Sequence, residues 1–290
     1  MDRFVEVTRT GYGGNIMKSI TGAFVGLIIF LLAFPLLWWN EGRTNWAEVA
    51  RTAKVAPTDK TDSALDQTLV SVSGPVKSEE EIGDPEFLRP GPWVSLTRHV
   101  EMYSWHEKKD SKEDKEVGGS STKTTTYTYT KSWSHSPQGS SGFKDRSGHE
   151  NPTLTLKGSE SAVTNATIGA WSFSPRDAEL PTAERLSLND GMLAVSNSDA
   201  AITSSLRRRP PVVESDYLFL GNGRLADPQV GDVRVSFTAL RRDTNVTLFG
   251  RVFNGTVVAH VTPQNEKFFR LLKGSRDEAI ATLQFEHSVT

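Results

Sequence analysis

Between Lys18 and Glu41 the chain runs for 22 residues without one charged side chain, SITGAFVGLIIFLLAFPLLWWN. At about 1.5 Å per residue, a helix of that length covers the roughly 30 Å hydrocarbon core of a bilayer. A helix apolar on every side must be covered by lipid or by a protein core, so this segment constrains the fold more than any other feature. A cleaved signal peptide and a buried core helix are the competing readings. The apolar part of a signal peptide, however, runs only about 7–15 residues and closes on a small-x-small site. This segment closes on Trp38-Trp39-Asn40-Glu41, and paired tryptophans suit a membrane interface. It therefore reads as a transmembrane helix over 19–40 after a short N-terminal tail, 1–18. Pro35 sits near the helix end, where a lost backbone bond costs less than at mid-helix.

Gly22 and Gly26 form a small-xxx-small pair that lets a second helix approach closely, although chance glycine frequency in membrane helices explains such a pair equally well. Orientation stays open. Arg3, Arg9 and Lys18 precede the helix, and Arg43, Arg51, Lys54 and Lys60 follow it, which is too even a split for the positive-inside rule to decide.

The mean hydropathy of -0.39 looks soluble only because it averages this helix with a polar remainder of the 290 residues. A net charge of -2 denies the chain the cationic field of a dedicated nucleic-acid binder, so no nucleic-acid partner is expected. The absence of cysteine excludes disulfide frameworks, Cys-ligated zinc, iron-sulfur clusters and thiol nucleophiles. No Walker loop, dinucleotide-binding fingerprint, G-x-S-x-G elbow or EF-hand spacing occurs.

Beyond the membrane segment, helical spacing of Trp46, Val49 and Ala53 predicts a juxtamembrane helix over 41–57, stopped by Pro57. From 58 to 274 the pattern is mainly β. Thr68–Val76 alternates like a strand broken by Gly74-Pro75, and further strands are expected near 168–173, 217–220 and 231–237. Asn254-Gly255 between TLFGRVF and TVVAHV is a hairpin signal, because both central residues of a type I′ turn need positive φ. Ser275 three residues before Glu278 is a capping box opening an amphipathic helix over 275–290. Two period-2 runs, His99–His106 and Thr122–His135, should pair as a long hairpin. The stretch 107–121 between them, with five acids and four lysines up to Glu116, is expected as a solvated mobile tip.

The expected hairpin gathers Tyr103, Trp105, Tyr127, Tyr129 and Trp133 into one aromatic strip. Three readings are open: a cross-strand ladder worth about 0.2–1 kcal/mol per pair, a protein interface with aromatic anchors, or a stacking platform for a ligand. His99, Glu101 and His135 could converge on a metal if the register allows, but hydrogen-bonded sheet residues are the simpler reading. His149, just before Asn151-Pro152, reads as a turn-shaping residue. Arg207-Arg208-Arg209 reads as a solvated loop or a contact for lipid headgroups or an acidic partner. Asn165, Asn245 and Asn254 open glycosylation sequons that matter only in a eukaryotic lumen.

Four blocks carry a resemblance: Gly22-x-Phe24-Val25-Gly26-Leu27 running on to Asn40-Glu41-Gly42-Arg43; Arg98-His99-Val100-Glu101-Met102-Tyr103-x-Trp105; Gly148-His149-x-Asn151-Pro152; and Val230-Gly231-Asp232-Val233-Arg234-Val235-Ser236-Phe237. In this order they resemble the LUMA family of transmembrane proteins, the transmembrane protein 43 family. The resemblance implies a membrane protein whose large domain is lumenal, at the endoplasmic reticulum or inner nuclear membrane, or periplasmic at a bacterial inner membrane. It also implies a partly OB-like β-fold, self-association, lamin and emerin contacts in eukaryotes, and no enzymatic activity or catalytic residues. Family members continue into further membrane helices, whereas this sequence stops at Thr290, which suggests a truncated sequence or a bacterial or divergent member lacking them.

The expected fold is thus mainly β (α+β), with one N-terminal transmembrane helix and a β-rich domain bearing a long aromatic hairpin. The expected function is a non-enzymatic, membrane-anchored scaffold that self-associates, without catalytic, metal or cofactor residues. Its expected partners are membrane lipid, copies of itself and other membrane proteins. Gly22 and Gly26 would serve helix association, and Trp38 and Trp39 the membrane interface. The alternative functions are a membrane-tethered sensor of a nucleotide, glycan or lipid on an OB-like face, and a hydrolase or metal enzyme using His99, Glu101 and His135.

Overall fold

The computed structural model describes residues 2–41, 44–117, 119–194 and 211–289; Arg207, Arg208 and Arg209 lie outside the described residues. The fold is mainly β with one long apolar helix near the N-terminus, and it divides into two compact units. The first comprises 1–44, 101–154 and 228–232; the second comprises 45–100, 155–227 and 233–290.

The first unit opens with a strand, Asp2–Thr10, followed directly by helix α1, Tyr12–Glu41. A tail over 1–18 was expected here. Instead the N-terminal strand pairs antiparallel with Ser121–Ser134 from Asp2↔Tyr129 to Thr10↔Ser121. Its Phe4, Val5 and Val7 supply the β-prone, alternating residues that such a seat needs. Helix α1 holds Ile20–Leu37, apolar enough to cross a membrane and not buried anywhere along it. The helix thus starts and ends beyond the 19–40 expected from charge alone.

Residues 102–115 of the strand Trp93–Lys115 pair antiparallel with Ser121–Ser134, from Met102↔Ser134 to Lys115↔Ser121. The expected hairpin is present, but its tip is shorter than the mobile 107–121 that the charges suggested. Backbone pairing orders this charged stretch without any apolar burial. Its side chains remain solvated and meet each other, as in Lys108–Asp110 at 3.4 Å and Lys112–Asp114 at 3.1 Å, while Thr122 Oγ1 donates to Glu116 at 2.9 Å.

In the second unit, five strands close on themselves. Asn245–Phe253 pairs with Thr256–Val258, which pairs in turn with Trp171–Phe173, then Ala166–Ile168, then Leu69–Lys77, and Leu69–Lys77 pairs back with Asn245–Phe253. The barrel-like ring encloses Val70, Val72, Ile168, Trp171, Phe173, Val246 and Leu248, all at most 1% exposed. Each such side chain contributes about 1.5–3 kcal/mol on burial.

Asn254 and Gly255 take φ of 50° and 77° at the turn between two of these strands, the positive pair that a type I′ turn requires. The run near 168–173 is not one strand but a tight hairpin, broken where Gly169 takes φ 58°. Gly74-Pro75 does not break the first strand, because Leu69–Lys77 continues through both.

A second group of strands in this unit includes residues 93–100 of Trp93–Lys115, followed by Val233–Arg241, Tyr217–Leu220 and Val212–Glu214. Beneath it a buried ion pair forms: Arg98 donates to Asp84 at 3.0 Å and to Glu86 at 3.1 Å. The side chains of Arg98 and Asp84 are 7% and 2% exposed.

The expected juxtamembrane helix is shorter than 41–57. Helix α2 spans Trp46–Thr52, capped by Asn45, and an extended pair, Lys54–Val55, follows. Ala47, Ala50 and Ala53 present small faces to Ala279, Ile280 and Leu283 of α3, Arg276–Val289. Trp46 stacks on Phe268 at 5.0 Å. Arg276 sends its guanidinium to the backbone oxygens of Arg51 at 3.1 Å and Ala53 at 3.4 Å, placing a cation at the negative end of α2. The capping box forms as expected, with the Ser275 N–H donating to Glu278 at 2.7 Å.

Candidate functional site: the clasped aromatic hairpin

Strand alternation puts Tyr103, Trp105 and Glu107 on one face of the hairpin, opposite Trp133, Lys131 and Tyr129. The five expected aromatics therefore do share a face. Tyr103 and Trp133 meet with ring centroids 5.4 Å apart, and the Lys131 ammonium sits over the Trp105 ring at 4.5 Å. Tyr127 and Tyr129 are buried, 7% and 2% exposed, and are not open for stacking by a ligand.

The segment after the returning strand covers them. His149 lies flat against Tyr129 at 4.0 Å and edge-on to Trp105 at 4.7 Å, while Phe143 tilts against Tyr129 at 5.9 Å. The Tyr129 hydroxyl donates to Glu107 at 2.6 Å and accepts from the Asp145 N–H at 2.8 Å. Burial, reinforced by the Glu107 carboxylate, pushes the Tyr129 phenol up to about 12, so it stays a protonated donor at neutral pH and cannot act as a base. Glu107 also accepts from the Lys144 N–H at 2.6 Å.

Toward the N-terminal strand, Lys144 Nζ donates to Glu6 at 2.8 Å and the Tyr127 hydroxyl reaches the same carboxylate at 3.4 Å. The Lys144 hydrogen bond holds the Glu6 carboxyl below its ordinary range, and Glu6 in return raises Lys144. The His149 ring bonds to the Asp145 carbonyl at 3.0 Å and faces the Asp2 carboxylate at 3.5 Å. These ionisable groups are committed to one another.

Asn151 completes the clasp. Its side-chain amide accepts from the Trp105 N–H at 2.8 Å and donates to the Trp105 carbonyl at 2.9 Å, so one side chain imitates a partner strand; it also donates to the Gln138 carbonyl at 2.9 Å. Two residues along the same strand the pairing passes to backbone: Tyr103 N–H donates to the Asp232 carbonyl at 2.8 Å, and Gly231 N–H to the Tyr103 carbonyl at 2.9 Å. Gly231 has φ 98°, and a Cβ there would stand 3.0 Å from Pro152, so both conformation and space require glycine. Three of the blocks noted in sequence thus converge on the Tyr103–Trp105 segment.

Glu101 and His135 come within 3.7 Å of each other, while His99 bonds to Thr238 at 3.0 Å. Among the described residues no three His, Asp or Glu side chains are grouped to hold a metal. A cleft of about 790 Å³ in the second unit is lined by Ser95, Thr97, His99, Glu160, Arg176 and Thr238 among others, and by none of the five strip aromatics. On α1, Gly22 and Gly26 have open space where a Cβ would stand. Trp38 and Trp39 belong to the end of α1, but their side chains lie outside what is described.

The profile of the family described as Transmembrane protein 43 matches residues 102–290. Transmembrane protein 43 of Mus musculus is 30% identical over 247 residues, 81% of this chain and 58% of that protein. The protein of the same name from Homo sapiens is 30% identical over 241 residues, covering 80% of this chain and 56% of its own. The chain belongs to the Transmembrane protein 43 family.

The Drosophila melanogaster homolog of Transmembrane protein 43 is 25% identical over 251 residues, 83% of this chain and 63% of that protein. The chain spans less than two thirds of the length of each of these relatives. No solved structure matches. Membership in the Transmembrane protein 43 family, together with the exposed apolar α1, makes this a membrane protein. The family match opens at Met102 and so takes in the hairpin, the loop that clasps it, and the elements that follow through α3, but not the N-terminal strand, α1 or Leu69–Lys77.

Sequence reasoning found the aromatic face but not what closes it. Glu107 fell in the expected mobile tip, and Glu6 in an expected tail. Phe143, Lys144 and Asp145 sit in a polar stretch without periodicity. Only Asn151-Pro152 carried a signal, an extended residue with a side chain able to pair with backbone.

Proposed function

We propose that this chain is a non-enzymatic, membrane-anchored scaffold that self-associates and organises membrane or partner proteins through its β-rich body. The observation that carries this is the pairing of an apolar segment, Ile20–Leu37, none of which is buried, with a site whose side chains hold the fold, Tyr129 on Glu107 and Asn151 on the Trp105 backbone. Gly22 and Gly26 leave a bare strip where a second helix can pack. The membrane would be a bacterial inner membrane with the body in the periplasm, or the endoplasmic reticulum or inner nuclear membrane with the body in the lumen. Its partners would be membrane lipid, further copies of the chain and other membrane proteins. Native mass measurement in detergent, with crosslinking in the membrane, tests the assembly: higher-order species support it, and monomers in both overturn it.

The second reading is a membrane-tethered sensor of a nucleotide, glycan or lipid. The five-strand closed ring supports an OB-like description of the body. The burial of Tyr127 and Tyr129 counts against the aromatic face as the binding surface, and the cleft beside His99 and Arg176 is the better location. Saturable binding of a glycan or nucleotide, lost on Arg176→Ala, would favour this reading over the scaffold.

A further inference from the structure

We infer that the N-terminal strand and the membrane span are alternatives: Asp2–Thr10 occupies the edge of the hairpin only while α1 is outside the bilayer, and insertion dismounts it. The inference rests on α1 being a membrane span, as the proposed scaffold also requires.

In the docked form the N-terminal strand is paired along its whole length with Ser121–Tyr129, so both lie on one side of any membrane. If Ile20–Leu37 crosses, residues before α1 and residues after it lie on opposite sides. The hairpin belongs with the residues after it, because among the described residues between Glu41 and Glu101 there is no second helix long and apolar enough to cross back. Neither strand can itself lie in hydrocarbon: Asp2, Arg3, Glu6 and Arg9 charge the N-terminal strand, and the hairpin is charged from Glu107 to Glu116. Nor is α1 suited to lying in the interface as an amphipathic helix, since Phe24, Leu27, Ile29, Phe30 and Leu32 expose apolar side chains all round it.

Docking and crossing are therefore mutually exclusive within one chain. The joint between them is built for a change of direction: Gly11 alone separates the strand from α1, Gly13 and Gly14 lie in the first turn of the helix, and Gly11 and Gly13 have open space where a Cβ would stand. In the docked form the strand also shields the clasp. Phe4 meets Tyr127 at 6.1 Å, and Glu6 holds Lys144. Insertion removes both contacts and bares the Ser121–Tyr129 edge.

The chain contains no cysteine, so introduced pairs report cleanly. Val5→Cys with Thr126→Cys, and Val7→Cys with Thr124→Cys, place thiols at facing positions of the docked strand. The full chain is made by cell-free synthesis with and without phospholipid vesicles, oxidised, and scored for the intrachain disulfide. Resistance to alkaline carbonate extraction reports insertion separately. Without vesicles both pairs should bridge nearly completely. In carbonate-resistant chains bridging should fall at least tenfold, and the single variants Val5→Cys and Thr126→Cys should react with an impermeant maleimide from opposite faces. Bridging that persists in carbonate-resistant chains, or labelling of both positions from one face, overturns the inference. So does a lack of bridging by both pairs without vesicles. A chain that carbonate always extracts overturns instead the anchored-scaffold reading on which the inference rests.

Discussion

The His149 ring stacks on the Tyr129 ring at 4.0 Å with only 22° between their planes. One residue comes from a polar loop and the other from a regular strand, and their contact joins the loop to the sheet. The phenol that carries this contact is bonded on both sides, to Glu107 and to the Asp145 backbone.

Tyr129→Phe keeps the ring and removes the hydroxyl, leaving the Asp145 N–H without that acceptor. It should lower stability by about 1–3 kcal/mol, the range for an unsatisfied buried partner. Asn151→Ala, which strips the strand-like pairing from Trp105, should cost a similar amount. Chemical denaturation of the full chain in detergent measures both; a midpoint equal to that of the parent for both variants would deny the clasp a structural role.

Arg98 and Asp84 form a buried ion pair, and Ser159 adds a hydrogen bond to Asp84 at 3.1 Å. Asp84→Ala leaves the Arg98 cation inside with Glu86 as its remaining carboxylate partner and should destabilise by about 3–5 kcal/mol. Replacing both partners with apolar residues, Arg98→Met with Asp84→Leu, should recover most of that loss, because the desolvation cost disappears with the charges. A double variant as unstable as Asp84→Ala would contradict this.

Stability should respond to acid through carboxyls that the fold holds below their ordinary value of 4.5: Glu6 through Lys144, Glu80 through Thr164 and Glu278 through Ser275. A carboxyl with a lower pKa folded than unfolded contributes fully above about 4.5 and loses its contribution as pH falls through the folded value. Lys144 behaves oppositely. Raised from 10.5, it contributes below that pH and loses its part as pH rises through the folded value. Glu6→Gln should flatten both limbs of a stability profile recorded from pH 3 to 11, whereas an unchanged profile would show the pair to be inconsequential. All three carboxyls are at the surface, so added salt should weaken the effect.

Gly22→Leu combined with Gly26→Leu should weaken helix association while leaving insertion intact, because leucine fills the close-approach strip yet suits lipid. Crosslinked species in the membrane should fall several-fold with carbonate resistance unchanged. An undiminished ladder of crosslinked species would leave these glycines without an assembly role.

Arg276→Met should loosen the junction of α2 and α3 by about 1–2 kcal/mol, by removing a cation and its hydrogen bonds from the α2 terminus. Amide exchange across Trp46–Thr52 should quicken more than exchange in the barrel-like ring. Uniform quickening would place the effect elsewhere.

Local patterns were legible wherever one short-range rule dominates. Absence of charge located α1, a two-residue period located the strands of the aromatic hairpin, Asn254-Gly255 located the turn between Asn245–Phe253 and Thr256–Val258, and the spacing of Ser275 and Glu278 located the start of α3. Prediction fell short where distant segments supply the partner. Asp2–Thr10 reads as a tail because nothing local to it shows the open edge of Ser121–Tyr129. The charged run after Glu107 reads as mobile because composition registers missing apolar burial and is blind to the backbone ladder. His149 reads as a turn-shaping residue because the Tyr129 ring it stacks on comes from a strand earlier in the chain.

What the amino-acid order determined on its own was the membrane-length helix, the β-rich body and the aromatic face, each set by the periodicity or charge of neighbouring residues. The tertiary structure decided which edge takes the N-terminal strand, which loop closes over Tyr129 and which buried charges meet. Those outcomes depend on contacts between residues far apart in the chain, whose free energy exists only once the intervening chain has brought them together.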